Sequence, residues 1–371
     1  MLFVNVNSII KGQTIIAMYL LAAFLICFRT LSSVLVFSER AIQSAEAFEP
    51  SQVSTSSQML VPKNNWTLFI CGYPPGGFED HVFPEYRNKQ ILSIDSTPTS
   101  NDILIFGVFG PCEADTNSFP GKSLYIVQEP DNEDFVKDRE TAYQLGPYGS
   151  SNQYHYLQVL VISFSFYLNA YNEVQEWILD HKQKRISTRQ HFLIYVSRNC
   201  QPFRDAAFLQ LSNIQPTHQG GRCPEHIPSN AKISKVETLG PRDSGGGFIS
   251  NFKGYHEYRF CLVMENTKMD GYVTEKILLA FLGGCIPIYW GSMDVYKMFN
   301  AKAFIYYDIE QPEGALERVH YLENNETAYK EVMSEPILVV NKSDTIDAYF
   351  SMSDSIGGGK LKSKIRDLME L

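Results

Sequence analysis

The chain has 371 residues, of which 44% are hydrophobic and 20% charged, and its formal net charge is −9. This is an ordinary globular composition with room for about two domains. The acidic balance gives no support for nucleic-acid binding, which usually shows a basic face, so any anionic ligand must be held by local cations.

Residues 1–11 read as a short cytoplasmic tail. The run TIIAMYLLAAFLICF, Thr14 to Phe28, is uncharged; Arg29 interrupts it and TLSSVLVF continues to Phe37. The uncharged core is shorter than the roughly 20 residues a spanning helix needs, but 12–37 suffices with Arg29 near one end. A cleaved signal peptide and an uncleaved signal anchor both fit. The lack of a clean small-x-small site after the core favours the anchor. Residues 38–62, rich in Ser, Gln, Glu and Ala, read as a stem. Beyond the anchor, N-x-[ST] triplets at Asn65, Asn325 and Asn341 are candidate glycosylation sites and fit a lumenal domain. Cys71, Cys112, Cys200 and Cys223 are disulfide candidates with no pairing implied. Cys261 and Cys285 lie in apolar runs and read as core residues. No CxxC or HExxH occurs, so no metal site is expected.

Folded sequence begins near Trp66. DILIFGVFG and SLYIVQEP are continuous apolar runs of the buried-strand kind, and LQVLVISFSFYL is a third apolar run. After Gln175 the chain turns polar and crosses between domains. HFLIYVSRN opens a second set: a strand, a helix in QPFRDAAFLQLSNI, the strand YRFCLVM, a helix from VTEK, the strand CIPIYW and a strand in AKAFIYYD. PEGALERVHYLE and TAYKEVMSE are amphipathic helices. Strands alternating with helices give parallel βαβ units. The fold class is therefore α/β, with two Rossmann-like domains (63–185 and 186–340) facing across a cleft. The basic tail 341–371 either returns to the first domain as a surface helix or is disordered.

In such sheets ligands bind beyond the carboxyl ends of the strands, where helix N-termini offer free N–H groups to anions. The loop ENTKMDGYVTEK, Glu265 to Lys276, leads into a helix there. A lysine in a first helical turn opposes the macrodipole unless an anion compensates it. A nucleotide diphosphate would do so. Glu275 could accept from ribose hydroxyls, and Asn266 and Tyr272 could complete the pocket; a solvated helix start is the plainer alternative. Arg204 stands likewise in the first turn after HFLIYV, where its planar fork suits phosphate; an ion pair with Asp205 is the alternative. Glu129, at the end of SLYIVQEP, is placed for a general base. Asp131, Glu133 and Asp134 follow at once, so position alone does not single out Glu129; Asp131 and Glu133 are rivals.

YRFCLVMENTKMDGYVTEKILLAFLGGCIPIYWGS resembles the signature segment of the α1,3/4-fucosyltransferases, which runs from an aromatic-rich strand through E-N and Y-V-T-E-K to I/V-P-I/V. FLIYVSRNCQPFRDAAFLQLS and VYKMFNAKAFIYY resemble the flanking parts, and the likeness covers roughly Phe192 to Glu335. It implies a GT-B architecture, GDP-fucose as co-substrate with no required metal or other cofactor, and inverting transfer to a glycoprotein glycan. Arg204 and Lys276 would hold the pyrophosphate, Glu275 the ribose, and Asn266 and Tyr272 would line the same donor site. Glu129 would be the base, although QEP departs from the family's E-x-P and G-E-N contexts. The implied setting is a single-pass type II protein of the Golgi membrane with a lumenal catalytic part. Domain closure over the substrates is a further expectation.

Overall fold

A computed structural model describes residues 66–73, 77–108, 112, 115–130, 142–147, 155–164, 189–236, 254–339 and 342–371. The expected tail, anchor and stem, Asn65, Asn341, Asp131, Glu133, Asp134 and the polar crossing after Gln175 lie outside these residues. Among the described residues no helix is long and apolar enough to cross a membrane.

Two six-stranded parallel sheets organise the residues from Asn64 to Leu371, which form one compact unit. The first contains β1 (Thr67–Cys71), β2 (Asn88–Ile91), β3 (Ile103–Phe106), β4 (Lys122–Ile126), β5 (Tyr143–Gly146) and β6 (Tyr156–Gln158), in the order β2-β1-β3-β4-β5-β6. Its apolar strands are covered on both faces: all of β1 and β3 is buried, as a parallel sheet requires. The edge strand β2, NKQI, is mostly exposed, and its polar composition blunts that edge. The run beginning at Leu157 continues the chain of β6 only to Gln158 before turning helical at 161–164.

The second sheet contains β7 (His191–Ser197), β8 (Thr217–Gly221), β9 (Ile233–Val236), β10 (Tyr258–Leu262), β11 (Ile286–Tyr289) and β12 (Ile305–Tyr306). Its order is β12-β11-β10-β7-β8-β9. Read from β9, this is the doubly wound 3-2-1-4-5-6 arrangement, whose winding direction reverses between β7 and β10. Helices α2 (Pro202–Leu211) and α3 (Glu275–Leu282) leave those two neighbouring strands. α1 is a single turn, Glu79–Val82, in the first lobe.

α3 is apolar nearly all round, and Ile277 to Phe281 are buried. It belongs to a continuous core with Leu68, Ile105 and Leu145 of the first sheet, so apolar packing joins the two lobes. α4 (Val295–Met298), α5 (Glu313–Asn324) and α6 (Glu326–Ser334) complete the second lobe. The amphipathic expectation for the last two holds: Val319 and Leu322, then Tyr329 and Val332, face the core. Asn325 caps α6 by accepting from the Ala328 amide at 3.0 Å, and its Nδ2 donates to the Tyr321 hydroxyl at 3.1 Å.

The basic tail returns to the first lobe. α7 (Lys342–Tyr349) leads to α8 (Lys360–Leu368), which buries Leu361 and Ile365 in the shared core. Arg366 donates to the Val82 carbonyl at 2.9 Å and pairs with Glu85 at 2.8 Å. The described cysteines form disulfides Cys71–Cys112, Cys200–Cys223 and Cys261–Cys285. The first two use the four expected candidates. The third corrects the reading of Cys261 and Cys285 as free core thiols: parallel pairing of β10 with β11 sets Cys261 opposite Pro287, bringing Cys285 within bonding reach.

Candidate active site

The reversal between β7 and β10 opens a pocket of about 200 Å³, lined by Ser197, Arg198, Asn199, Arg204, Glu275 and Lys276 over a floor of Tyr195, Tyr255 and Met264. Both expected cations therefore reach one cavity, from separate helix starts.

Arg204 is buried, 4% exposed. It donates to two main-chain carbonyls, Asn199 O and Met264 O, and its Nε has no partner. The alternative ion pair with Asp205 is not formed; Asp205 instead accepts from the Tyr195 hydroxyl at 3.0 Å. The neighbouring Cys200–Cys223 disulfide ties the same loop to the end of β8.

Lys276 is held differently. Its Nζ donates to Glu265 Oε2 at 3.0 Å and Thr274 Oγ1 at 2.9 Å, with Glu275 at 3.9 Å. The anion that offsets the helix dipole is thus already present in the protein, and the helix start is not simply solvated. Glu265 is fully buried and also accepts from the Thr274 amide at 2.8 Å and hydroxyl at 2.9 Å. Thr274 is the N-cap of α3. Burial disfavours the charged lysine, but Glu265 and Glu275 outweigh it and raise its pKa. Burial likewise raises Glu265, while Lys276 pulls it back. Sequence alone gives Glu265 no role: there it only opens the loop ENTKMDGYVTEK. A carboxylate closing an apolar strand ahead of T-E-K was the available signal.

Glu129 reaches this site from the first lobe. The Tyr272 hydroxyl donates to its Oε2 at 3.3 Å. Burial raises its carboxyl pKa; Lys276 and hydrogen bonds from Tyr272 and Asn266 oppose that rise, and Glu275 reinforces it. Asn266 contributes here too, and its buried Oδ1 has no partner. Burial, with Glu265 and Glu129 nearby, raises the Tyr272 phenol so that it stays a proton donor. Arg204, Asn266, Tyr272, Glu275, Lys276 and Glu129 are all brought together; Asn325 lies apart, on α6.

The loop 265–274 is fixed from both lobes. The Gly271 amide donates to Asp294 Oδ2 and its carbonyl accepts from the Val161 amide of the first lobe. Gly271 has φ +76°, and a Cβ there would stand 2.6 Å from Pro147 Cβ. Only glycine meets both demands.

Residues 186–334 match the family described as glycosyltransferase family 10 (fucosyltransferase), C-terminal. This part of the chain belongs to the fucosyltransferase family. An α-(1,3)-fucosyltransferase of Helicobacter pylori is 34% identical over 166 residues, 44% of this chain and 30% of the relative. A GDP-fucose protein O-fucosyltransferase 3 of Xenopus laevis is 22% identical over 74% of this chain and 59% of that protein. The chain thus aligns with less than two thirds of the length of these curated relatives. A crystal structure of an α1,3-fucosyltransferase with GDP superposes with a TM-score of 0.54 at 19% identity, covering 86% of this chain and 94% of that one. The shared fold extends over both sheets, beyond the fucosyltransferase segment.

Proposed function

We propose that the protein is an inverting fucosyltransferase that moves L-fucose from GDP-β-L-fucose to a GlcNAc hydroxyl of a glycoprotein glycan, in α1,3 linkage. One observation carries the reading: Glu129 of the first lobe meets Tyr272 3.3 Å away and feels the charges of Lys276 and Glu275, which line the pocket together with Arg204. A carboxylate of raised pKa within electrostatic reach of Lys276 supports a base acting beside the donor pocket.

The acceptor hydroxyl gives its proton to Glu129, which keeps the Tyr272 hydrogen bond. The acceptor oxygen forms the new bond to the anomeric carbon as the bond to the diphosphate breaks. GDP leaves from the opposite face with the electron pair, so β becomes α. Arg204 and Lys276 stabilise the growing phosphate charge, the type of term that commonly dominates catalysis, and Glu275 takes the ribose hydroxyls. Two cations fixed at helix starts supply what a divalent ion would otherwise do, so turnover is expected to persist in chelator. The apolar N-terminal run supports a type II anchor in the Golgi membrane with the catalytic part lumenal.

The test uses the full chain in mild detergent with EDTA, GDP-fucose, GDP-mannose and UDP-sugars, and a mixture of N-glycan acceptors. GDP release with GDP-fucose alone, abolished in Glu129→Gln, supports the reading, and linkage analysis of the product reads the position. Turnover of another donor replaces the activity while keeping the fold. Donor-independent glycan binding without turnover identifies an inactive glycan-binding relative. Fucose on a peptide hydroxyl moves the acceptor to protein, as the likeness to the O-fucosyltransferase allows.

A further inference from the structure

Glu265 has no part in the chemistry as described above, yet it is bonded to Lys276, which lines the pocket. Glu265 is fully buried. Its amide donates to the Trp290 carbonyl at 2.8 Å, locking it against the end of β11. The absence of a side chain at Gly291 makes room for it: a Cβ there would lie 2.6 Å from Glu265 Cγ. The carboxylate is held by hydrogen bonds from the Thr274 amide and hydroxyl and from the Lys276 ammonium.

An ammonium group has three donors. Glu265 and Thr274 take two from Lys276, and the lysine lines the nucleotide pocket with the remainder. A diphosphate entering that pocket meets a lysine whose charge is already offset. Arg204, by contrast, is bound by carbonyls only and meets the ligand at full charge.

We propose that Glu265 is a positioning residue that offsets the charge Lys276 presents to the diphosphate, and thereby keeps GDP from binding too tightly to leave. The proposal rests on the fucosyltransferase reading. It separates from a purely structural role by charge. Glutamine has nearly the same shape and can still accept from Thr274, so a cap-only role predicts unchanged or weaker nucleotide binding in Glu265→Gln. Charge offset predicts the reverse.

The experiment is calorimetric titration of GDP into the full chain, as wild type, Glu265→Asp and Glu265→Gln, with steady-state kinetics on each. Removing one unit charge a few ångströms behind the binding lysine should tighten GDP about tenfold in Glu265→Gln, at the screening typical of protein sites. Glu265→Asp keeps the charge but withdraws it by one methylene, and an intermediate gain of about threefold is expected by the same attraction. The maximal rate should fall with the donor KM as product release becomes limiting, and a burst of one turnover should precede the steady state. Lys276→Met should abolish the gain from Glu265→Gln. If either variant binds GDP no tighter than wild type while melting at the wild-type temperature, the proposal is overturned. Should Glu265→Gln fail to fold, the Glu265→Asp affinity alone decides it. A wild type that binds no GDP overturns the functional reading itself, a result distinct from bound GDP with unchanged variants.

Discussion

The loops after β7 and β10 each bring one cation to the same pocket, but they prepare it in opposite ways. Arg204 is buried against carbonyl oxygens, behind a disulfide, with its Nε unpartnered. Lys276 is paired with a buried carboxylate whose charge offsets its own. A charge held by dipoles alone remains available to an incoming anion. A charge held by a counter-ion must be shared. The arginine loop thus supplies standing attraction, and the lysine loop supplies a weakened grip and also reaches Glu129 through Tyr272.

The largest effect should come from breaking the link across the cleft. Glu129→Gln is expected to lower turnover by about 10²–10⁴, the range for a general base, with GDP affinity nearly unchanged by titration. Because burial raises the Glu129 pKa, and the base must be ionised, the rate should rise with pH along a limb lying above the ordinary glutamate range. A limb at or below that range would remove Glu129 from the role. Arg204→Met should follow, costing about 10²–10³ in turnover, as for a lost oxyanion donor. Lys276→Met should cost less than Arg204→Met, since its charge is half spent on Glu265; equal losses measured side by side would erase the contrast between the loops. Tyr272→Phe removes a hydrogen bond that lowers the Glu129 pKa, so the acid limb should move to higher pH, with turnover down about tenfold for one charge-assisted bond. Smallest in activity, Gly271→Ala should chiefly destabilise the protein, by about 1–3 kcal/mol for a strained left-handed residue, read as a lower melting temperature. An unchanged melting temperature would show that the lobes can part at Pro147.

Much of the second lobe was legible because its signals are local. A helix apolar on every side between two apolar strands has few places to go but a sandwiched crossover, and α3 is that helix. Arg204 and Lys276 stood out because both occupy first turns, where the dipole makes cations conspicuous. Glu265 was hidden because its partners, Thr274 and Lys276, lie nine or more residues on, across a loop. Cys261–Cys285 was hidden for a similar reason: the two cysteines are 24 residues apart and meet only once β10 and β11 pair. In the first lobe β5 and β6 are short and less apolar, so period alone does not mark them. The destination of α8 was likewise open in the sequence, because an amphipathic stripe states that a face is covered without stating by what. The shared core of α3 and the first sheet also bears on the expected closure of the lobes. Apolar packing of that kind favours loop adjustment around Gly271 over wide hinge motion.

The most direct measurement is a crystal structure of the protein with GDP. The account predicts the diphosphate within about 3 Å of both Arg204 and Lys276, the ribose on Glu275, and the Lys276 contact to Glu265 retained. GDP bound elsewhere, or a diphosphate touching neither cation, would contradict it.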